Sequence, residues 1–94
     1  MPTTLPPDTP LRRSDRAMHA DVNGTAVMLD VEGGQYYGLN EVGTHIWGLL
    51  DAPATPAEIA ADLPRHFAVE PAEAEAATWA FLADLLDRGM IEPA

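Results

Sequence analysis

The chain has 94 residues, 47% of them hydrophobic, which suits one domain with a single modest core. Acidic residues outnumber basic ones by 15 to 5, and the formal net charge is −10 at pH 7. This charge repels phosphate backbones and anionic lipid headgroups, so nucleic-acid and membrane partners are disfavoured. Cysteine is absent, which excludes disulfides and cysteine metal sites. With no apolar stretch of signal-peptide or membrane-spanning type, we expect a soluble cytoplasmic protein.

The first segment differs in composition from the rest of the chain. Residues 1–15 are polar and rich in proline, and they show no periodic apolar pattern. We therefore predict a flexible arm over residues 1–15 and one folded domain over residues 16–94. From Ala17 onward, two arginines face 13 acidic residues, a net charge of −11.

Three short strands are predicted at the start of the domain. Apolar residues alternate over residues 18–22 and stop at Asn23-Gly24, a dipeptide that tolerates the positive φ angles of a tight hairpin turn. A second strand covers residues 25–31. After a turn at Gly33-Gly34, residues 35–39 form the third strand. The pattern indicates a three-stranded antiparallel meander.

Three helices follow, each with a recognisable start. Asn40 is a good N-cap for the first helix, and Thr55 and Glu58 form a capping box for the second. The third helix opens at Pro71 and ends before Gly89. The predicted fold class is α+β, with a three-stranded antiparallel sheet followed by three helices.

The third helix has more apolar surface than a surface helix needs. Its apolar arc covers roughly 200°, against roughly 100° for an ordinary amphipathic helix. One flank can pack on the domain's own core. The other flank is covered by the sheet or the first helix, or it forms a partly exposed groove for a partner. This second flank consists of Trp79, Leu82, Ala83 and Leu86.

The third strand is expected at an edge of the sheet, since it ends the meander. Such an edge offers unpaired N–H and C=O groups, and here it carries no charge or proline that would block pairing. Ordinary strand aromatics would explain its two tyrosines equally well. Beside an apolar helix flank, however, the edge is suited to β-augmentation by a peptide. The predicted peptide-binding residues are Gln35, Tyr36, Tyr37, Gly38 and Leu39, with Trp79, Leu82, Ala83 and Leu86.

No catalytic centre is predicted. His19, His45 and His66 are far apart in sequence and lack metal-ligand spacing, so we assign them structural or solvent-facing roles. The chain has no lysine, and its single serine, Ser14, lies in the predicted arm. We expect a protein that is not an enzyme and that holds no metal or cofactor.

Four segments together resemble the PqqD-like family. The segment QYYGLNEVGTHIW, residues 35–47, resembles the strand-to-helix region of that family. The segments LLD at 49–51, TPAEI at 55–59 and FLADLLDRGMI at 81–91 are similar to its remaining elements. The resemblance spans about residues 17–91, and its specificity comes from the ordered series.

This resemblance implies a winged helix-turn-helix-like fold and the role of a RiPP recognition element. Such proteins bind the leader segment of a ribosomally synthesised precursor peptide along the third strand, beside the third helix. They deliver it to a processing enzyme such as a leader peptidase. The Tyr-Tyr-Gly-Leu-Asn strand resembles most the stand-alone proteins of lasso-peptide pathways. The alternative is a PqqD-type peptide chaperone for a radical enzyme in pyrroloquinoline-quinone-like biosynthesis.

Two other classes of protein remain open on the sequence alone. A winged-helix DNA-binding regulator shares the order of elements, but its third helix would present Glu73, Asp84 and Asp87 to phosphates. An oligomerising module would use the same edge strand and apolar helix flank to bind a second copy.

The charge leads to a prediction about DNA. We expect no binding to any duplex at about 150 mM salt, because the domain has too few cationic side chains to displace the counterions of DNA. Electrophoretic mobility-shift titration measures this directly. A sequence-specific shift at that salt concentration would contradict the charge argument.

Overall fold

The computed structural model describes residues 6–15, 17–30 and 33–94. Eight regular elements lie in these residues. In chain order they are β1 (Leu11–Arg13), β2 (Ala17–Val22), β3 (Thr25–Asp30), β4 (Gln35–Gly38), α1 (Glu41–Leu49), α2 (Pro56–His66), α3 (Pro71–Asp87) and β5 (Ile91–Pro93).

The main sheet is the predicted antiparallel meander, with strand order β2-β3-β4. The hairpin between β2 and β3 turns at Asn23 and Gly24, whose φ angles of 55° and 81° lie in the left-handed region that such turns require. The side chain of Asp21 accepts a hydrogen bond from the Gly24 N–H at 2.8 Å and closes this turn. The predicted α+β fold, a three-stranded sheet followed by three helices, is confirmed.

The pleat of β3 divides the sheet into two faces. Ala26 and Met28 point to the helices and are buried, with exposures of 7% and 0%. Because side chains alternate along a strand, Val27 and Leu29 lie on the opposite, outer face. Their neighbours there include Met18 and Tyr36, which are 55% and 74% exposed. The outer face of the sheet is therefore apolar and open to solvent.

The helix boundaries follow the predicted capping chemistry. The Asn40 side chain accepts a hydrogen bond from the Gly43 N–H at 2.8 Å, as an N-cap does. Thr55 and Glu58 form the reciprocal capping box at the start of α2. Pro64 lies inside the last turn of α2 and does not end the helix before His66. Gly89, with φ of 73°, ends α3 as predicted.

The prediction of a flexible arm is wrong for Leu11–Arg13. These residues form β1, which pairs antiparallel with β5 near the end of the chain. Leu11 is 2% exposed, and its backbone also exchanges two hydrogen bonds with Ala54. A strand of three residues is too short to show an alternating apolar pattern, and its partner β5 is distant in sequence. The sequence pattern therefore does not indicate this strand. Residues 1–5, which belong to the same prediction, lie outside the described residues.

Arg13 links strand β1 to the last turn of α1. Its guanidinium donates two hydrogen bonds, of 2.6 and 3.2 Å, to the carbonyl oxygen of Trp47. The same guanidinium lies 4.6 Å from the centroid of the Trp47 ring. A cation at the C-terminal end of a helix is attracted by the last carbonyl groups and by the negative end of the helix dipole. The contact therefore stabilises both α1 and the position of β1.

The core lies between the inner face of the sheet and the three helices. Helix α3 contributes a buried stripe, and α1 contributes the adjacent Ile46 and Trp47. Met90 and Ile91, which follow α3, close one end of the core. None of the described helices is long and apolar enough to cross a membrane. The buried stripe of α3 consists of Ala74, Thr78, Leu82 and Leu85, and its apolar members belong to one core cluster with Met28, Ile46, Trp47, Leu63 and Met90.

Candidate functional site

Strand β4 has one open edge. It pairs with β3 on one side, and within residues 6–15, 17–30 and 33–94 no strand pairs with it on the other. Gln35, Tyr36 and Gly38 are exposed, and the strand contains no charged residue and no proline. The predicted edge position of this strand is confirmed.

The register identifies which backbone groups face the open edge. The Leu39 N–H donates to the Ala26 carbonyl oxygen at 2.9 Å, so Leu39 continues the pairing with β3. Hydrogen bonding to one neighbour alternates along an antiparallel strand. The N–H and C=O groups of Tyr36 and Gly38 therefore point away from β3, to the open edge.

A cleft separates this edge from α3. We use "the β4–α3 cleft" for the depression lined by Tyr37, Gly38, Leu39, Asn40, Phe81, Asp84, Leu85 and Arg88. Its lining is mainly apolar, and its two charged residues, Asp84 and Arg88, are partly exposed. An apolar slot beside unpaired strand groups is the geometry on which an extended peptide can add as a strand.

Arg88 and Tyr37 form one side of the cleft. The Arg88 guanidinium carbon lies 4.1 Å from the Tyr37 ring centroid, within the range of a cation–π contact. Arg88 also donates to the Asp84 carboxylate at 3.0 Å, and this hydrogen bond raises the pKa of Arg88 above its ordinary value. The cleft thus presents one permanently charged guanidinium and one carboxylate.

Helix α1 supports the cleft from below through Gly43. A side-chain carbon added at Gly43 would lie 3.4 Å from Cε1 of Phe81 and 3.4 Å from Cβ of Leu39. The tightest neighbour of such a carbon is Oδ1 of Asn40 at 3.3 Å, so a larger residue at position 43 would make the N-cap side chain of α1 shift slightly.

The predicted strand residues lie at this site, whereas the predicted helix residues do not line the cleft. Leu82 is 0% exposed and belongs to the core. Trp79 lies on another side of α3, in a groove with Ala57, Ala60 and Pro64 of α2. Ala83 and Leu86 are partly buried and pack against the core. An apolar arc alone does not indicate which part of it faces β4, and a peptide-binding role for these four helix residues stays a prediction.

The sequence analysis did not include five residues that line the cleft: Asn40, Phe81, Asp84, Leu85 and Arg88. Phe81 and Leu85 lie on α3 outside the flank of Trp79, Leu82, Ala83 and Leu86 that was predicted to bind a peptide. Leu85 is 3% exposed, yet it also lines the cleft. Phe81 and Leu85 are four residues apart and so lie on one face of the helix, and this spacing was the signal for them that the sequence offered.

The structure brings together two histidines that are distant in sequence. His45 of α1 and His66 of α2 both contact Asp62, with Nε2 to carboxylate distances of 2.6 and 3.4 Å. The hydrogen bond with His45 holds the pKa of the Asp62 carboxyl below its ordinary value. The packing of α1 on α2 joins this pair, which the spacing of the histidines along the chain does not indicate.

The fold and the open edge define a small α+β domain of the winged helix-turn-helix type. Comparison with protein families agrees: the family described as Coenzyme PQQ synthesis protein D (PqqD) matches residues 25–91. The chain belongs to the PqqD family, and the resemblance noted in its sequence is confirmed. A comparison with curated proteins found no match.

Solved structures show the same fold. TbiB1 in complex with the TbiA(beta) leader peptide is 30% identical with a TM-score of 0.78, covering 86% of this chain and 94% of that one. Lasso peptide synthetase B1 complexed with the leader peptide is 29% identical with a TM-score of 0.77, covering 88% and 98%. The PqqD truncation of Methylobacterium extorquens PqqCD, described as a RiPP recognition element, is 22% identical with a TM-score of 0.76, covering 97% of each chain. This last similarity concerns the fold alone.

The burial of Leu82 yields a prediction about stability. We expect Leu82→Ala to lower the free energy of unfolding by about 2–5 kcal/mol, because it leaves a cavity in the core. Asp87→Ala, on the exposed face of α3, should change it by less than about 0.5 kcal/mol. Urea unfolding followed by circular dichroism measures both. Equal stability of the two variants would contradict the core assignment.

Proposed function

We propose that this domain binds the leader segment of a ribosomally synthesised precursor peptide and presents it to a processing enzyme, such as a leader peptidase, in lasso-peptide or related biosynthesis. The domain acts by binding and not by catalysis. The observation that carries the proposal is the open edge of β4 beside the β4–α3 cleft.

In this proposal the leader adds to the sheet as a fourth strand. Its backbone pairs with the N–H and C=O groups of Tyr36 and Gly38. Because side chains alternate along a strand, every second leader residue enters the cleft, and the others lie beside Tyr36 on the outer face. Backbone pairing supplies affinity, whereas the cleft selects the side chains that enter it.

The lining of the cleft indicates which leader residues fit. Leu39, Phe81 and Leu85 favour an apolar side chain, whose transfer from water contributes about 1.5–3 kcal/mol when it is fully buried. Arg88 and Asp84 can accept a charged or polar neighbour at the rim. A charge carried to the apolar floor would lose its hydration without a partner.

The comparisons support a leader peptide as the ligand. Two similar proteins, at 30% and 29% identity, have structures in complex with leader peptides, and one of them is lasso peptide synthetase B1. Membership of the PqqD family agrees with a peptide-binding role. A leader held as an edge strand leaves the rest of the precursor free, as presentation to an enzyme requires.

The first expected result concerns affinity. The domain should bind the leader of its cognate precursor peptide with a Kd on the order of micromolar or tighter. Fluorescence polarisation with a labelled leader measures this, and a scrambled leader of the same composition is the control. Absence of binding up to about 1 mM, or a stable dimer that buries the β4 edge, would contradict the proposal.

A second expected result tests the added strand itself. Tyr36→Pro removes an outward N–H without touching the hydrogen bonds to β3, and proline is tolerated at a sheet edge. We expect it to weaken leader binding about fivefold or more, the equivalent of one hydrogen bond of about 1 kcal/mol. Tyr36→Ala loses the same side chain but keeps the N–H, so it is the matched control.

The comparison of Tyr36→Pro with Tyr36→Ala separates the contribution of the backbone N–H from that of the tyrosine side chain. If both bind equally and both remain folded by circular dichroism, the leader does not pair with this edge. If only Tyr36→Pro is impaired, the loss is due to the backbone group.

A further inference from the structure

Three side chains that take no part in the β4–α3 cleft converge between α1 and α2. Asp62 and His66 are four residues apart on α2, so they share one face of that helix. His45 reaches them from α1 and places its Nε2 atom 2.6 Å from the Asp62 carboxylate. One ligand atom from each residue can be chosen so that all three lie within 4.8 Å of one another.

The donor set matches a particular class of metal ion. Two imidazole nitrogens and one carboxylate oxygen are typical ligands of borderline divalent ions, of which Zn²⁺ accepts three protein ligands with water in a fourth position. Calcium and magnesium instead require shells made of oxygen. The N₂O set therefore favours Zn²⁺ over both.

The distances are compatible with a zinc centre after small side-chain movements. Tetrahedral zinc with bonds of about 2.0–2.1 Å places its ligand atoms roughly 3.3 Å apart. His66 already places its Nε2 atom 3.4 Å from the Asp62 carboxylate, and its side chain is 51% exposed, so it can rotate without disturbing the core. His45 is held in place by an edge-on contact with Phe67, with ring centroids 5.4 Å apart. Such an outer contact orients a ligand before the ion arrives.

We propose that His45, Asp62 and His66 form a Zn²⁺ site that bridges α1 and α2. Coordination is through Nε2 of both histidines and one carboxylate oxygen of Asp62, with water completing the shell. Coordination through Nε2 of His45 requires its ring proton to be on Nδ1, and the ion then replaces the contact between Nε2 and Asp62. The net charge of −10 favours the local accumulation of cations. The site does not depend on the proposed leader-binding function.

Calorimetric titration of the untagged full chain with ZnCl₂ alone tests this site. We expect saturable 1:1 binding with a Kd on the order of micromolar or tighter, and none with MgCl₂. His66→Ala should weaken the zinc affinity at least about tenfold. Zinc should also raise the midpoint of thermal unfolding of the natural chain by several degrees, but not that of His66→Ala.

His19→Ala is the matched control, since His19 is the remaining histidine of the chain and lies on β2, outside the cluster. It should bind zinc as the natural chain does. Circular dichroism confirms the folding of each variant, and the exposure of His66 makes His66→Ala a mild change. No saturable zinc binding up to about 1 mM, or equal losses in His19→Ala and His66→Ala, would overturn the proposal.

Discussion

The orientation of α3 about its own axis determines which of its side chains face strand β4 and which face helix α2. Burial of Leu82 between the sheet and the other helices, together with Ala74 and Thr78, leaves α3 only one orientation. That orientation turns Phe81 and Arg88 to β4 and Trp79 to α2. Because protein interiors are close-packed, a helix of this length cannot rotate without opening a cavity or creating a clash. The cleft is thus a consequence of core packing.

The sheet imposes the complementary constraint. Its inner face is occupied by small and flexible side chains, Ala26 and Met28, which let the helices approach closely. With β4 as the last strand, one row of backbone groups has no partner in the described part of the chain. Natural proteins usually block such an edge with charge or proline. An uncharged edge next to an apolar cleft has no evident benefit for stability, but it suits the proposed addition of a peptide strand.

The ends of the chain hold the helices in place. Pairing of β1 with β5 closes the core beneath Leu11, and Arg13 caps the end of α1 while it covers Trp47. Helix α1 in turn contacts the cleft through Gly43 and α2 through His45. These contacts place α1 between the proposed leader site and the proposed zinc site, although the two sites share no residue.

The sequence by itself determined the features that depend on local chemistry. Asn23-Gly24 specifies a tight turn, Thr55 and Glu58 specify a helix start, and the ordered segments around residues 35–47 identify the family. Only the tertiary structure decided the features that depend on distant contacts. These are the strand at Leu11–Arg13, the side of α3 that faces β4, and the meeting of His45 with His66. Spacing along the chain carries no information about a partner on another element, because packing alone brings the two together.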